Sequence, residues 1–173
     1  CIDLGANIGY FSSILANEVT NKGKVIAVEA SPETCQILNK TIEMLSLAQI
    51  DIEEYCITNK DGFVEFMVTK EASADVKQSL KVFRCEEEQF RKETVKALTL
   101  DNLVKKHEVQ GNVSLVKMDI EGAEPLALEK AKLLFSQESL PLFIVEVYKA
   151  GLSRMGFEPK DIYTYFSEDL FEL

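Results

Sequence analysis

Asp3-Leu4-Gly5-Ala6-Asn7-Ile8-Gly9 decides the fold. An apolar strand end, Cys1-Ile2-Asp3-Leu4, runs into two spaced glycines and then into Tyr10, where a helical pattern begins. Glycines at such a strand-to-helix turn let backbone amides approach a ligand, because no Cβ stands in the way. The loop departs from the dinucleotide fingerprint G-x-G-x-x-G: Asn7 takes the place of the middle glycine, and Gly9 follows after one residue rather than two. A pyrophosphate is expected to fit it poorly. Asp3 adds a carboxylate, which repels phosphate but suits the ammonium of a methionine moiety, so charge favours the sulfonium cofactor S-adenosylmethionine.

Outward from this loop, short β-rich apolar runs alternate with helical patterns, the mark of βαβ units. Strands are expected at residues 1–4, 24–29, 49–57, 113–118 and 141–147, the last two being near-continuous apolar runs that read as the centre of the sheet. The class is therefore α/β: a doubly wound, mostly parallel sheet with helices on both faces. Ser31 can cap a helix that places Pro32 in its first turn and Cys35, Leu38, Ile42 and Leu45 on one face. A second helix is expected to start near Asp101. A third carries Ala123, Leu126, Ala127, Ala131 and Leu134 on its buried side. Lys60-Asp61-Gly62 reads as a turn into an added antiparallel strand through Phe63, Phe66 and Val68. Residues 71–93, with the run Glu86-Glu87-Glu88, break the pattern and are expected to form a surface insertion or flap.

The 173 residues are expected to form a single domain, and the opening in mid-strand points to a fragment lacking its N-terminal portion. A net charge of -10, with no basic cluster, disfavours nucleic acid and anionic lipid as partners. No apolar run approaches the roughly eighteen residues that cross a bilayer. Cys1, Cys35, Cys56 and Cys85 form no C-x-x-C pair and have no histidine at ligand spacing, so neither zinc nor a disulfide framework is expected, which suits a cytoplasmic protein. Oligomeric state is not legible.

Two further blocks carry chemistry. Glu29 ends the second strand 24 residues after Gly5, where an acidic side chain can accept from both hydroxyls of a ribose. Val116-Lys117-Met118-Asp119-Ile120-Glu121-Gly122-Ala123-Glu124 is a buried strand ending in three carboxylates at the edge where open α/β sheets bind ligands. Together with Val28-Glu29-Ala30-Ser31-Pro32-Glu33, Thr99-Leu100-Asp101-Asn102-Leu103 and the loop above, this pattern strongly resembles the FkbM family of S-adenosylmethionine-dependent methyltransferases, over nearly the whole chain. The chain departs from that family at Tyr148, where histidine is frequent, and at Ala30, where proline is common.

The resemblance implies a Rossmann-like class I methyltransferase fold. It implies that Asp3, Gly5, Ala6, Asn7 and Gly9 hold the methionine end of S-adenosylmethionine, Glu29 its ribose, and Ala30 and Cys56 its adenine. The methyl group would then face Asp119. A hydroxyl acceptor loses its proton as it attacks, and His107, in the charged stretch Lys105-Lys106-His107-Glu108, reads as a solvated surface residue. Asp119 is therefore the first candidate base and Glu146, ending the next strand, the second. Glu121 and Glu124 either touch the substrate or stabilise the following helix. Tyr10 and Tyr148 are candidate substrate contacts and equally good packing residues. No metal is required. The expected activity is O-methylation of a small molecule or sugar. The alternatives are a nicotinamide-dependent dehydrogenase domain and a non-catalytic S-adenosylmethionine-binding module.

Overall fold

A computed structural model describes residues 1–69, 78–80, 90–167, 169 and 171. In chain order the elements are β1 (Ile2–Leu4), α1 (Tyr10–Val19), β2 (Val25–Glu29), α2 (Pro32–Leu45), β3 (Ile50–Glu54), β4 (Cys56–Ile57), β5 (Gly62–Thr69), β6 (Gln78–Ser79) and β7 (Phe90–Leu98). There follow α3 (Leu100–Lys106), β8 (Leu115–Met118), α4 (Glu124–Leu128), α5 (Lys132–Phe135), β9 (Leu142–Val145), α6 (Lys149–Met155) and α7 (Pro159–Tyr163). The main sheet is parallel throughout, in the order β3-β2-β1-β8-β9. It is the doubly wound α/β sheet expected. Its order reverses between β1 and β8, so the crevice lies beyond the C-terminal ends of those two strands.

The core follows from side-chain type. β1, β2 and β8 are covered on both faces, and Ile2, Leu4, Val28, Val116 and Met118 join Leu100, Leu103, Leu128 and Leu152 in one buried cluster. On the other side, Ala16 and Leu38 pack on Val25, Ala27 and Ile50. The α2 start is as its sequence indicates: Ser31 Oγ accepts the Thr34 amide at 3.3 Å, with Pro32 in the first turn.

The structure corrects several expectations. Residues 49–57 form two strands in two sheets rather than one. The Tyr55 amide turns to the carbonyls of Glu29 and Glu53, and Cys56 then pairs with Ala97 of β7. The third helix is broken into α4 and α5. The Asp101 amide takes the Lys130 carbonyl at 2.8 Å and the Asp101 carboxylate accepts the Leu133 amide at 2.8 Å, so a residue from α3 ends one helix and starts the next. β9 is not central among the described residues. It pairs with β8 alone, and Leu142 and Ile144 on one face are 61% and 48% exposed. His107 is not solvated: its ring is 8% exposed, with Nε2 2.7 Å from Glu53 and Nδ1 3.6 Å from Asp51. Asp51 and Glu53 share one face of β3, and the end of α3 closes over it.

β5 is the antiparallel strand expected after Gly62, and with β4, β6 and β7 it forms a second, four-stranded sheet. Of residues 71–93, the stretch 90–93 belongs to β7 and 78–80 to the β6 region; Glu86, Glu87 and Glu88 lie outside the described residues. No described helix is long and apolar enough to cross a membrane.

Candidate functional site

A cavity of about 360 Å³ opens over the ends of β1, β2 and β8, a size suited to a small-molecule ligand. Of the residues singled out in the sequence, Gly5, Ala6, Asn7, Tyr10, Glu29, Ala30, Cys56, Asp119 and Glu121 line it. Asp3, Gly9, Glu124, Glu146 and Tyr148 are not on its wall.

The loop between β1 and α1 is held in shape by its own amides. Gly5 and Ala6 both donate to the Val28 carbonyl, at 3.0 and 2.9 Å, Asn7 donates to Glu29 Oε2 at 3.0 Å, and Gly9 donates to the Ala6 carbonyl. These amides are engaged by β2 and by the loop itself rather than forming an anion nest. Gly5 sits at φ +75°, where an added Cβ would run into the Asp119 carbonyl. The first loop and the Asp119 loop thus touch backbone to backbone.

Glu29 bridges the loop after β1 and the start of α2. Its Oε1 accepts the Ser31 amide at 2.9 Å and its Oε2 the Asn7 amide, leaving the remaining lone pairs for a ligand. Burial pushes its pKa above the usual carboxylate range, against the opposing pull of these amides and of Lys117. Burial, with Glu29 nearby, raises the Cys56 thiol to about 12, so Cys56 serves there as a small apolar wall. Phe66 and Leu80, from the second sheet, complete that wall.

Asp3 faces the other way. It is 0% exposed, with Oδ2 accepting from Ser12 Oγ at 2.6 Å and Oδ1 lying 3.3 Å from the Lys117 ammonium. Lys117, 5% exposed, also donates to the Gly5 carbonyl at 3.1 Å and lies 3.5 Å from Asp119 Oδ2 and 5.2 Å from the centre of the Phe11 ring. The sequence reading passed over Lys117. A signal was there: a lysine inside a buried strand needs a counter-charge, and Asp3 is its direct neighbour across β1 and β8. Tyr55, Phe66 and Leu80 also line the cavity without a sequence signal, because they come from a loop and the second sheet, remote from the motifs; Phe11 lines it too, directly after the glycine loop.

The acidic residues after β8 have separate positions. Asp119 stands on the cavity wall. Glu121, also on the wall, adopts φ +57° and pairs with Arg154 at 3.4 Å. Gly122 then lies against the Gly151 backbone, where a side chain would collide, so α6 closely backs this loop. Glu124 is fully buried, and its Oε1 accepts the Ile120 amide at 2.9 Å; it braces the Asp119 turn from behind. Tyr148 stacks under the Arg154 guanidinium, 5.5 Å away.

Glu146 follows β9, and its amide donates to the Met118 carbonyl at 2.8 Å, which sets it beside the end of β8. Partial burial, then the charges of Asp119, Glu121 and Glu124, raise its pKa to about 7. A carboxyl whose folded pKa lies above its unfolded 4.5 binds its proton more tightly when folded. This contribution to stability is fully present below pH 4.5 and is lost as pH rises through about 7. Between pH 5 and 8, thermal melting is expected to fall with rising pH in the wild type and to fall less in Glu146→Gln; equal slopes in the two would exclude the shifted carboxyl.

The methyltransferase FkbM domain model matches residues 3–173. The crystal structure of methyltransferase FkbM from Methylobacillus flagellatus KT superposes with a TM-score of 0.61 at 16% identity, over 95% of this chain and 36% of that one. The chain thus spans about a third of the length of that structure. A SAM-dependent methyltransferase from Aquifex aeolicus gives a TM-score of 0.42 at 15% identity, over 83% of this chain and 53% of that one. No curated protein matches significantly. The family match, covering almost every residue, agrees with the parallel sheet and with the crevice at its switch point: the chain belongs to the FkbM methyltransferase family.

Proposed function

We propose that residues 1–173 are one domain that transfers the methyl group of S-adenosylmethionine to a hydroxyl of a small molecule or sugar. One observation carries the reading: Asp119 stands on the cavity wall with its backbone against Gly5 of the glycine loop. S-adenosylmethionine, when bound, supplies an electrophilic methyl on a sulfonium.

The residues present suit that cofactor. Glu29 would receive the ribose hydroxyls, Ala30 and Cys56 would flank the adenine, and the loop from Gly5 to Gly9 would shape the methionine end. Asp3, Lys117 and Asp119 together carry one negative charge beside that end, which favours a cationic cofactor. Asp3 acts there from beneath, through Lys117. A dinucleotide is disfavoured, since the amides of Gly5, Ala6 and Asn7 are already engaged.

Transfer needs the acceptor aligned behind the methyl, so positioning supplies much of the rate. Asp119 accepts a hydrogen bond from the acceptor hydroxyl and orients it. The proton released is taken by Asp119, with Glu146 able to hold one near neutral pH. Glu121 and Tyr10 flank the acceptor. The acidic rim admits neutral or cationic acceptors and repels phosphorylated ones or nucleic acid. The free thiols of Cys1, Cys35 and Cys56 suit a reducing cytoplasm.

The test is incubation with methyl-labelled S-adenosylmethionine and a panel of hydroxylated small molecules and sugars. Label recovered in an ether supports O-methylation. Label on nitrogen overturns the hydroxyl assignment, and no transfer to any acceptor despite tight cofactor binding favours a non-catalytic module.

A further inference from the structure

Glu121 breaks a local rule on the cavity wall. It carries a side chain, yet its backbone is left-handed at φ +57°. Residues other than glycine hold that conformation at a cost, and only where the surroundings enforce it. Here the enforcement comes from α6. The backbones of Gly122 and Gly151 interlock, and a Cβ on Gly151 would fall 2.8 Å from the Glu121 carbonyl oxygen.

The same helix brings Arg154 to the Glu121 side chain. The Arg154 side chain is 5% exposed, with Nη2 donating to Glu121 Oε2 at 3.4 Å and the guanidinium 5.5 Å from the centre of the Tyr148 ring. Its Nε is buried without a hydrogen-bond partner among the described residues. A guanidinium is unfavourable to bury. Glycine at position 121 and an apolar side chain at position 154 would serve the fold better, so both residues point to a use in the cavity.

Asp119 and Glu121 stand two residues apart on one wall, both partly exposed. Each has a buried cation behind it: the Lys117 ammonium is 3.5 Å from Asp119, and the Arg154 guanidinium is 3.4 Å from Glu121. The two carboxylates can therefore accept strong hydrogen bonds from a ligand while their charges are balanced from the protein side. Such a wall suits a neutral molecule with two adjacent donors better than a cation.

We propose that Arg154 is a positioning residue of the acceptor site. It fixes the Glu121 carboxylate beside Asp119, so that a neutral acceptor is held through two adjacent hydroxyls, one of which takes the methyl group. A sugar or polyol offers such a pair and a simple alcohol does not. The hold on the acceptor rests on the methyl-transfer reading; the hold of Arg154 on Glu121 does not.

The experiment compares the wild type with Arg154→Leu, Glu121→Gln and the double variant Glu121→Gly with Arg154→Leu. Three quantities are read: thermal melting, S-adenosylhomocysteine affinity, and steady-state transfer to trans-1,2-cyclohexanediol, methyl glucoside and cyclohexanol. The double variant removes the backbone strain and the buried charge together, and it is expected to melt at or above the wild type. Melting clearly below the wild type would make the pair a support of the fold and overturn the proposal.

In Arg154→Leu and Glu121→Gln the KM for the diol or the glucoside is expected to rise about ten- to a hundredfold, the worth of a hydrogen bond to a charged group. The loss falls on KM rather than kcat, and S-adenosylhomocysteine affinity stays within a few-fold. A merely structural arginine would leave KM unmoved in the folded variants, and that result overturns the proposal, as does a wild type that methylates cyclohexanol as readily as the diol. Should Arg154→Leu not fold, Glu121→Gln and the double variant decide. A wild type that binds S-adenosylhomocysteine but methylates none of the three counts against the methyl-transfer reading, and the melting comparison then decides the hold of Arg154 on Glu121.

Discussion

Asp119→Asn is expected to lower methyl transfer about 10²–10⁴-fold, the usual worth of a positioned acid or base, while S-adenosylmethionine affinity stays within a few-fold. The argument is geometric. Asparagine keeps the size of aspartate, and the Asp119 amide still bonds to the Leu4 carbonyl at 3.1 Å, so the wall of the cavity keeps its form. In the proposed mechanism, what is lost is the charge that would orient a hydroxyl and receive its proton. On the proposed reading the effect falls on kcat rather than on cofactor binding, because Glu29 and the glycine loop would hold the cofactor. Single-turnover assays with the wild type and the variant separate the two. Full turnover by Asp119→Asn on a true acceptor would remove Asp119 from the chemistry.

Gly5→Ala is expected to be strongly destabilising for so small a substitution. Left-handed backbone at φ +75° and collision of the new methyl with the Asp119 carbonyl together cost about 2–5 kcal/mol. For a domain with a total stability of about 5–15 kcal/mol this is a large fraction. A melting temperature lower by roughly 5–15 °C is the expected reading. Gly111→Ala is the control, since Gly111 has the same φ of +75° but nothing within 4 Å of an added Cβ. If the two variants melt together, the cost is backbone strain alone and the contact between the two loops carries no weight. The contact also gives Gly5→Ala a second consequence, because relief of the collision displaces Asp119 and lowers transfer in whatever fraction remains folded.

How much of this was legible can be followed residue by residue. The β1 loop, Glu29 at the end of β2 and Asp119 at the end of β8 were readable because each pairs a local signal, glycine or acid, with a strand end, and a parallel sheet brings strand ends together. The Ser31 cap was readable because capping is local. The break between α4 and α5 was not, since it is imposed by Asp101 from a distant helix and nothing in Glu129-Lys130-Ala131 itself ends a helix. The split of β3 from β4 likewise depends on β7, some forty residues on. His107 looked solvated from its charged neighbours, because the carboxylates that enclose it lie on β3. Lys117 interrupts the apolar run of β8, and its counter-charge, Asp3, lies across the sheet on β1, more than a hundred residues away in sequence. The acidic motif itself separates in space: Asp119 and Glu121 face the cavity, whereas Glu124 turns inward to support them.

Calorimetric titration with S-adenosylmethionine, S-adenosylhomocysteine and NAD under identical conditions tests the central claim most directly. Micromolar binding of the first two, about −8 kcal/mol, with no heat from NAD is the predicted result. Binding of NAD without either sulfur ligand would contradict the account.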